Sequence, residues 1–247
     1  MKQEVFPGLE QIKKTLRYEL EGCECKEKCE TANGCKCLRF GVNNYSSTGQ
    51  LLLAEDSNLP ILECHPNCSC SSECGNRSAQ FSLQFKVEPF QTADKGLGLR
   101  AKEPIQKNHF LIEYSGQIVS EEKASKRAKQ RSDEDPNQHN YIFTLNEYTG
   151  NSDNCTQTFI DATRHGNLSR LINHSCDPNL FPVILRYGRS LPVLALFTKR
   201  DIQTGEEFSY DYGKMSNLTE ETKRAKPCRC GSQQCRGILP CYDYSCE

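Results

Sequence analysis

The sequence predicts a mainly β domain with a cysteine-rich module in front of it and a short cysteine-rich tail behind it. Short apolar or alternating segments recur between turn signals in the middle of the chain, and one modest helical pattern interrupts them. Nine cysteines crowd into residues 23–74, and three more fall within residues 228–235. A chain of 247 residues accommodates one large domain with small satellites. We therefore expect an N-terminal segment, a cysteine module, a central domain, a linker and a tail, at residues 1–22, 23–80, 81–213, 214–226 and 227–247.

The composition favours metal binding over disulfide formation. No apolar run approaches the roughly 20 residues of a membrane span, and the N-terminus lacks the apolar core of a signal peptide. We therefore expect no membrane association and a reducing compartment. In such a compartment, metal coordination explains sixteen cysteines better than disulfides do.

The N-terminal segment carries apolar side chains at helical spacing and ends at a glycine. The residues concerned are Leu9, Ile12, Leu16, Leu20 and Gly22. This spacing predicts a short amphipathic helix that packs on the module after it, and we assign this helix no function.

The cysteine module has the composition of a zinc cluster. Three tetrahedral zinc ions need twelve zinc–sulfur bonds, and nine cysteines supply twelve when three of them bridge two metals. Two alternatives stay open, namely disulfide pairing and two separate zinc sites with one free thiol. A region this small has little apolar core, so metal binding would supply its folding energy. The nine predicted ligands are Cys23, Cys25, Cys29, Cys35, Cys37, Cys64, Cys68, Cys70 and Cys74.

The central domain opens with alternating apolar residues, which predict a strand over residues 81–87. Lys95–Arg100 follows, and its two glycines suit a tight turn or a close approach of backbone to a ligand. His109–Gly116 predicts a buried strand that enters a turn. Ser120–Arg131 predicts a helix, because glutamates occupy its first turn and basic residues its end.

The next stretch predicts one more strand between polar turns. Asp133–His139 is a predicted loop, and Asn140–Phe143 begins a short strand. Tyr148–Cys155 is a predicted turn, and Phe159–Asp161 leads into the residues that follow.

The residues after Asp161 are the most informative part of the chain. Asn173–Asn179 combines short polar side chains with a proline and predicts a turn. Three strands are then expected, at Leu180–Tyr187, Val193–Lys199 and Phe208–Tyr212.

Two of these stretches resemble a known family. The run RLINHSCDPN at residues 170–179, followed by Phe208–Tyr212, is similar to the signature of SET-domain protein-lysine methyltransferases. The cysteine blocks before and after the domain resemble the pre-SET and post-SET modules of the Suv39 group, and the resemblance covers about residues 22–240. It implies small curved sheets and a C-terminal pseudoknot, in which the final strand threads beneath a loop and brings Asn173 and His174 beside Tyr212.

The post-SET tail provides three cysteines, Cys228, Cys230 and Cys235, which do not complete a tetrahedral zinc site. We expect Cys176 to supply the fourth thiolate and so to tie the tail to the Asn173–Asn179 turn. The alternative is a frayed tail with incidental cysteines. No metal is assigned to Cys155, Cys241 or Cys246.

The resemblance implies that the cofactor is S-adenosylmethionine. In the family a Gly-Trp-Gly stretch lines the cofactor pocket through its main chain, and this chain has Leu97 in place of the tryptophan. The implied cofactor-binding residues are Gly96, Leu97, Gly98, Tyr141, Arg170, Asn173 and His174.

The implied catalytic residues are tyrosines. Tyr212 matches the principal catalytic tyrosine, Tyr141 lines the amine and cofactor pocket, and Tyr210 falls where the family has Phe or Tyr. A lysine amine with a pKa of about 10.4 must lose its proton before it attacks a methyl group. A narrow aromatic channel beside a cationic sulfonium lowers that pKa through desolvation and like charge. The hydroxyl at Tyr210 leaves less room for repeated methylation, which predicts mono- or dimethylation.

We therefore expect a histone-lysine methyltransferase that acts on the histone H3 tail of the nucleosome, in the nucleus on chromosomes. The formal charge of -1 becomes about -6 once thirteen thiolates hold four zinc ions. An acidic protein suits a basic peptide and argues against strong sequence-specific binding of nucleic acid. Two alternatives remain: a zinc-stabilised peptide- or chromatin-binding module of weak activity, supported by Leu97, and a methyltransferase for a non-histone protein.

Overall fold

The computed structural model describes most of the chain. The described residues are 22–26, 28–38, 42–53, 60–81, 83–134, 140–148, 155–189, 191–213 and 226–240. They divide into two compact units, one built from residues up to Gln80 together with Ile184–Val193, the other from Phe81–Val183 and residues from Leu194 onward. The predicted N-terminal helix lies outside the described residues. None of the described helices is long and apolar enough to cross a bilayer.

Strands dominate the regular structure, as the sequence predicts. The strands are β1 (Ile61–Leu62), β2 (Val87–Gln91), β3 (Leu97–Ala101), β4 (Phe110–Glu113), β5 (Gln117–Val119), β6 (Ile142–Tyr148), β7 (Cys155–Asp161), β8 (Asn173–His174), β9 (Leu180–Arg186), β10 (Val193–Thr198) and β11 (Ser209–Tyr210). One helix, α1 (Glu121–Glu134), and three short 3-10 turns, Thr31–Asn33, Gly75–Arg77 and Leu168–Leu171, complete the described elements.

The first unit has a core made largely of thiols. Seven of its cysteines are buried together with Leu38, and Cys25 and Cys29 pack against them. Glu63 is 1% exposed, and it accepts hydrogen bonds from Tyr45 Oη at 2.6 Å, the Ala79 amide at 2.8 Å and Gln80 Nε2 at 2.9 Å. Burial raises the pKa of Glu63. β1 pairs in parallel with Leu185 and Arg186.

The second unit contains the sheets that the sequence predicts. β2 and β3 form an antiparallel pair, and β5, β7 and β6 form a three-stranded sheet in that order. A larger sheet runs in the order β4-β10-β9-β11-β8. Its core consists of fully buried apolar side chains, among them Phe197, Phe208, Leu111, Leu180 and Leu196.

The last strand of this sheet confirms the threaded arrangement. β11 lies between two strands that precede it by some thirty residues, and it is parallel to both. Ser209 pairs with Asn173, and Tyr210 pairs with His174 on one side and Leu180 on the other. Residues remote in sequence are thereby fixed side by side by backbone pairing.

One predicted element is wrong and others are shifted. Among the described residues of this predicted strand before Val87 there is no strand, because the pairing with β3 ends at Val87 opposite Ala101, and beyond it only Lys102 donates a backbone hydrogen bond, to Lys86 O at 2.9 Å. Phe81 is 47% exposed, whereas Leu83, Phe85 and Val87 are half-buried, so the alternation marks a half-buried face without strand pairing. Lys95–Arg100 is largely strand rather than turn, since β3 begins at Leu97.

Helix α1 extends through Glu134, so Asp133 belongs to the helix and not to a loop. The remainder of that loop and residues 149–154 of the predicted Tyr148–Cys155 turn lie outside the described residues. The predicted strand Phe208–Tyr212 is regular only at Ser209–Tyr210.

Candidate active site

The site is built on the turn that leads into β8. Asn167 caps the 3-10 turn Leu168–Leu171 by accepting a hydrogen bond from the Ser169 amide at 3.1 Å. The chain then enters β8, where Asn173 is buried and donates to Leu97 O at 3.3 Å and to Glu207 Oε1 at 2.9 Å. The structure thus brings the predicted cofactor residues Asn173 and Leu97 together.

The two glycines of Lys95–Arg100 are required for different reasons. Gly96 has a φ of +73°, a conformation that favours glycine, and nothing lies within 4 Å of where a Cβ would be. A Cβ on Gly98 would instead lie 2.9 Å from both Phe90 and Thr92, so packing inside the protein requires that glycine. Leu97 lies between them and is 52% exposed. The backbone at Gly96 is therefore accessible to a ligand on the side where a Cβ would lie, while Gly96 O itself accepts hydrogen bonds from the Thr92 amide and Thr92 Oγ1.

Three aromatic rings surround that of Tyr210 and form an aromatic cluster with it. The Tyr210 ring centroid lies 4.7 Å from that of Tyr212, 6.1 Å from that of Phe143 and 6.4 Å from that of Tyr114. The Tyr114 hydroxyl donates to Tyr141 O at 3.0 Å, and burial raises the pKa of Tyr114. Tyr114 thus connects the main chain of Tyr141 to the ring of Tyr210, which itself packs on Tyr212.

The prediction missed Tyr114 and Phe143. Tyr114 lies in the stretch His109–Gly116, whose pattern predicts only a buried strand. Phe143 lies in β6, where an aromatic residue is ordinary. No local signal in the sequence distinguishes either ring from a packed core aromatic.

Tyr212 is held at its hydroxyl and at its backbone. Its hydroxyl donates to Ile172 O at 2.9 Å, and its amide donates to His174 Nδ1 at 3.2 Å. Because Nδ1 accepts this bond, the proton of a neutral His174 ring is on Nε2, which lies 3.3 Å from Cys176 Sγ. Burial lowers the pKa of His174, which favours that neutral ring.

Arg170 and Tyr141 form a second predicted pair. The Arg170 guanidinium carbon lies 4.6 Å from the centroid of the Tyr141 ring, in a cation–π arrangement. The main chain of Tyr141 is also bonded to the Ala162 amide at 3.0 Å. Both predicted residues are therefore anchored beside the aromatic cluster.

The tail thiols meet Cys176, as the sequence predicts. The sulfur atoms of Cys176, Cys228, Cys230 and Cys235 all lie within 4.8 Å of one another, and Cys176 Sγ is 3.8 Å from Cys228 Sγ. A tetrahedral zinc ion with Zn–S bonds of about 2.3 Å separates its ligands by about 3.8 Å. Burial raises the pKa of Cys230, but hydrogen bonds involving Ser232, Cys176 and Cys228 together outweigh it and lower that pKa to about 5. These four residues fit one zinc ion.

The thiols of the cysteine module also fit metal. Three overlapping sets of four have sulfur atoms within 4.8 Å of one another, and Cys64 belongs to all three. Among the described residues Cys25 belongs to no set, although it packs on the cluster. Hydrogen bonding from Cys64 outweighs burial and lowers the pKa of Cys37 to about 5. The three sets are Cys23, Cys29, Cys35 and Cys64; Cys23, Cys64, Cys68 and Cys70; and Cys29, Cys64, Cys70 and Cys74.

The module contains polar neighbours of the thiols that the prediction did not name. Asn76 Nδ2 donates to Cys64 Sγ at 3.4 Å, and Arg77 Nη2 donates to Cys70 Sγ at 3.5 Å. His65 is 1% exposed and forms a further set with Cys37 and Cys68. N–H donors and a buried cation stabilise thiolates, so this environment suits a cluster that carries net negative charge.

Comparison with known proteins agrees with this geometry. The SET domain family matches residues 96–213, and the Pre-SET motif matches residues 2–77. The probable histone-lysine N-methyltransferase set-23 of Caenorhabditis briggsae is 37% identical over 225 residues, which is 90% of this chain and 88% of that protein.

Two solved structures have the same fold. The crystal structure of the methyltransferase domain of human SETMAR superimposes with a TM-score of 0.77 and 33% identity, over 90% of this chain and 81% of that one. KRYPTONITE in complex with mCHH DNA, an H3(1-15) peptide and SAH matches with a TM-score of 0.71 and 30% identity, over 89% of this chain and 43% of that one.

Proposed function

This chain belongs to the SET-domain histone-lysine N-methyltransferases, and on that basis we propose that it methylates a lysine of histone H3 with S-adenosylmethionine as donor. The observation that carries the proposal is the pairing of β11 with β8, which fixes Tyr210 and Tyr212 beside Asn173 and His174. A methyl donor and an amine acceptor need such a fixed junction, because in-line transfer depends on their alignment.

The cofactor would lie against the main chain of Gly96 and Leu97 and against Asn173. S-adenosylmethionine supplies a methyl group activated by its sulfonium. The accessible backbone at Gly96 and the bond from Asn173 to Leu97 O support this position. Arg170, Tyr141 and His174 complete the proposed set, together with Gly98, whose role here is to let β3 pack closely.

Tyr212 is the proposed principal catalytic residue. Its hydroxyl donates to Ile172 O, and a phenolic oxygen that donates one hydrogen bond can accept others. The lysine amine would donate to that oxygen, which orients the nitrogen lone pair toward the methyl group. The surrounding rings of Tyr141 and Tyr210 desolvate the ammonium and lower its pKa, so that the neutral amine is available at neutral pH.

Tyr210 would limit the number of methyl groups added. Its side chain is 5% exposed and is packed among Tyr114, Phe143 and Tyr212, so its hydroxyl occupies enclosed space. Each added methyl group enlarges the amine that must rotate in that space. We therefore propose mono- and dimethylation.

Zinc would stabilise each of the two cysteine-rich regions separately. We propose three ions in the cluster of nine cysteines and one ion held by Cys176, Cys228, Cys230 and Cys235. Sites saturated by thiolates have no open position for a reacting oxygen, so the role of these ions is structural.

Histone H3 is the proposed substrate, in the nucleus. The KRYPTONITE structure contains an H3 peptide, and the zinc-loaded charge of about -6 suits a basic tail.

The test is methylation of an array of H3 peptides and lysine-containing peptides from other proteins by the zinc-loaded protein, with product masses read by mass spectrometry. We expect transfer to H3 lysines, stabilisation against heat by S-adenosylmethionine, and loss of transfer in Tyr212→Phe. Thermal stabilisation without transfer to any peptide would favour a binding module. Transfer only to peptides outside H3 would identify a protein other than histone H3 as the substrate.

A further inference from the structure

Arg236 directly follows Cys235, the third cysteine of the tail, and its contacts converge on the residues around Tyr212. Its Nη2 donates to Asp211 Oδ1 at 2.6 Å, and its Nη1 donates to Gly213 O at 3.1 Å. Asp211 and Gly213 are the two chain neighbours of Tyr212. One planar guanidinium therefore binds the Asp211 carboxylate and the Gly213 carbonyl, on either side of the proposed catalytic tyrosine.

Arg236 also contacts Cys176, a proposed zinc ligand, and His174, whose ring lies beside that thiol. The Arg236 amide donates to Cys176 Sγ at 3.3 Å, and Nη2 lies 3.3 Å from His174 Nε2. His174 in turn accepts the hydrogen bond from the Tyr212 amide. The backbone amide of Arg236 thus bonds the thiol site, and its side chain contacts the residues on either side of Tyr212 as well as interacting with His174 and Cys176.

We propose that Arg236 is a positioning residue for Tyr212. Through it, the placement of that tyrosine depends on the contact between the tail and Cys176. The inference rests on the proposed function, since it assigns Arg236 to the same reaction. The Asp211 side chain is 39% exposed and that of Arg236 is 29% exposed, so a pair of this kind adds little to the stability of the fold. Its effect is on geometry: the guanidinium holds Asp211 and Gly213 at fixed separation and leaves Tyr212 little freedom to tilt.

The division between backbone and side chain makes the inference testable. Arg236→Gln keeps the amide that bonds Cys176, so zinc content should equal that of the parent. We expect kcat to fall by about ten- to a hundred-fold, the range for displacement of a reacting group by up to about 1 Å. KM for S-adenosylmethionine and for the peptide should be unchanged. Arg236→Lys, which retains one contact to Asp211, should recover part of the loss.

The matched control is Arg200→Gln. Arg200 Nη1 contacts Glu206 Oε1 at the same 2.6 Å, but none of its hydrogen bonds reaches the residues around Tyr212. Its kcat should equal that of the parent. Asp211→Asn alone and combined with Arg236→Gln complete a double-mutant cycle, and the combined loss should be smaller than the product of the two single losses.

A second measurement does not depend on activity. The protein is labelled with 3-fluorotyrosine, and the resonance of Tyr212 is assigned by its disappearance in Tyr212→Phe. Arg236→Gln should shift or broaden that resonance, and Arg200→Gln should not.

An inactive parent would reject the proposed function, and the fluorine spectra would then decide the positioning role alone. An active parent with an unchanged kcat in Arg236→Gln would overturn only the inference. A fall in kcat accompanied by loss of zinc would also overturn it, because Arg236 would then act through the fold.

Discussion

Asp161 is expected to be the carboxylate whose loss costs the most stability in the second unit. It ends β7, is 3% exposed, and lies 2.7 Å from Arg127 Nη1 and 3.6 Å from Arg131 Nη1. It also accepts the Thr163 amide at 3.0 Å. Asp161→Asn keeps the size of the side chain but leaves two arginines of α1 without their counter-charge.

The size of the effect follows from the exposure of the partners. Removing one member of a fully buried ion pair costs about 3–5 kcal/mol. Arg127 is 30% exposed and Arg131 is 14% exposed, so water screens part of the interaction. We expect a loss of about 2–3 kcal/mol in the free energy of unfolding. For a chain of this size that corresponds to a Tm lower by about 4–12 °C.

The pH dependence gives an independent check. Burial raises the pKa of Asp161, but hydrogen bonds from Thr163 and the charge of the arginines outweigh it and lower that pKa below its usual value of 3.8. A lowered folded pKa contributes stability above the unfolded pKa, and this contribution is lost as the pH falls through the folded value. The difference in Tm between parent and Asp161→Asn should therefore be full at pH 7 and shrink below about pH 4.

The assay is thermal unfolding of both proteins at one scan rate, with Glu88→Gln as matched control. Glu88 also pairs with two cations, Arg100 and Lys102, but on an exposed strand. Its replacement should shift Tm far less. Equal shifts for the two variants, or an Asp161 effect that persists at low pH, would refute the reasoning.

Three further predictions concern the proposed site. Tyr210→Phe should raise the fraction of trimethylated product, because it removes a hydroxyl from enclosed space; product mass spectra without that shift would reject the role. Cys176→Ser should lower zinc content by one ion and make the tail sensitive to protease, whereas full zinc content would place the ion elsewhere. Leu97→Trp should tighten S-adenosylmethionine binding in calorimetry, since it restores an aromatic wall at an exposed position; unchanged affinity would mean that the contacts there are from backbone alone.

Much of the fold was predictable because a few local signals imply long-range pairing. The run at residues 170–179 together with Phe208–Tyr212 predicted the threaded strand through its family resemblance. The single cysteine Cys176 predicted its meeting with the tail by ligand count. The threaded strand and the contact between Cys176 and the tail were predictable because each depends on which residues are present, and residue identity is read directly from the sequence.

Other parts depend on tertiary packing that no local pattern encodes. The alternation before Val87 looked like a strand, but a strand also needs a partner, and β3 offers none there. The sequence pattern around Tyr114 is that of a buried aromatic, and only the folded structure shows that its hydroxyl donates to Tyr141 O. Arg236 and Asp161 are charged residues in polar surroundings, and only the folded chain shows which partners they meet.

The central claim is that Tyr212 binds the target amine. The most direct test is a crystal structure with S-adenosylhomocysteine and the unmodified form of a peptide that the protein methylates, which locates that amine. We predict that the lysine nitrogen lies within about 2.6–3.2 Å of Tyr212 Oη, between the rings of Tyr141 and Tyr210. A lysine bound away from Tyr212, with the cofactor remote from Asn173, would contradict the account.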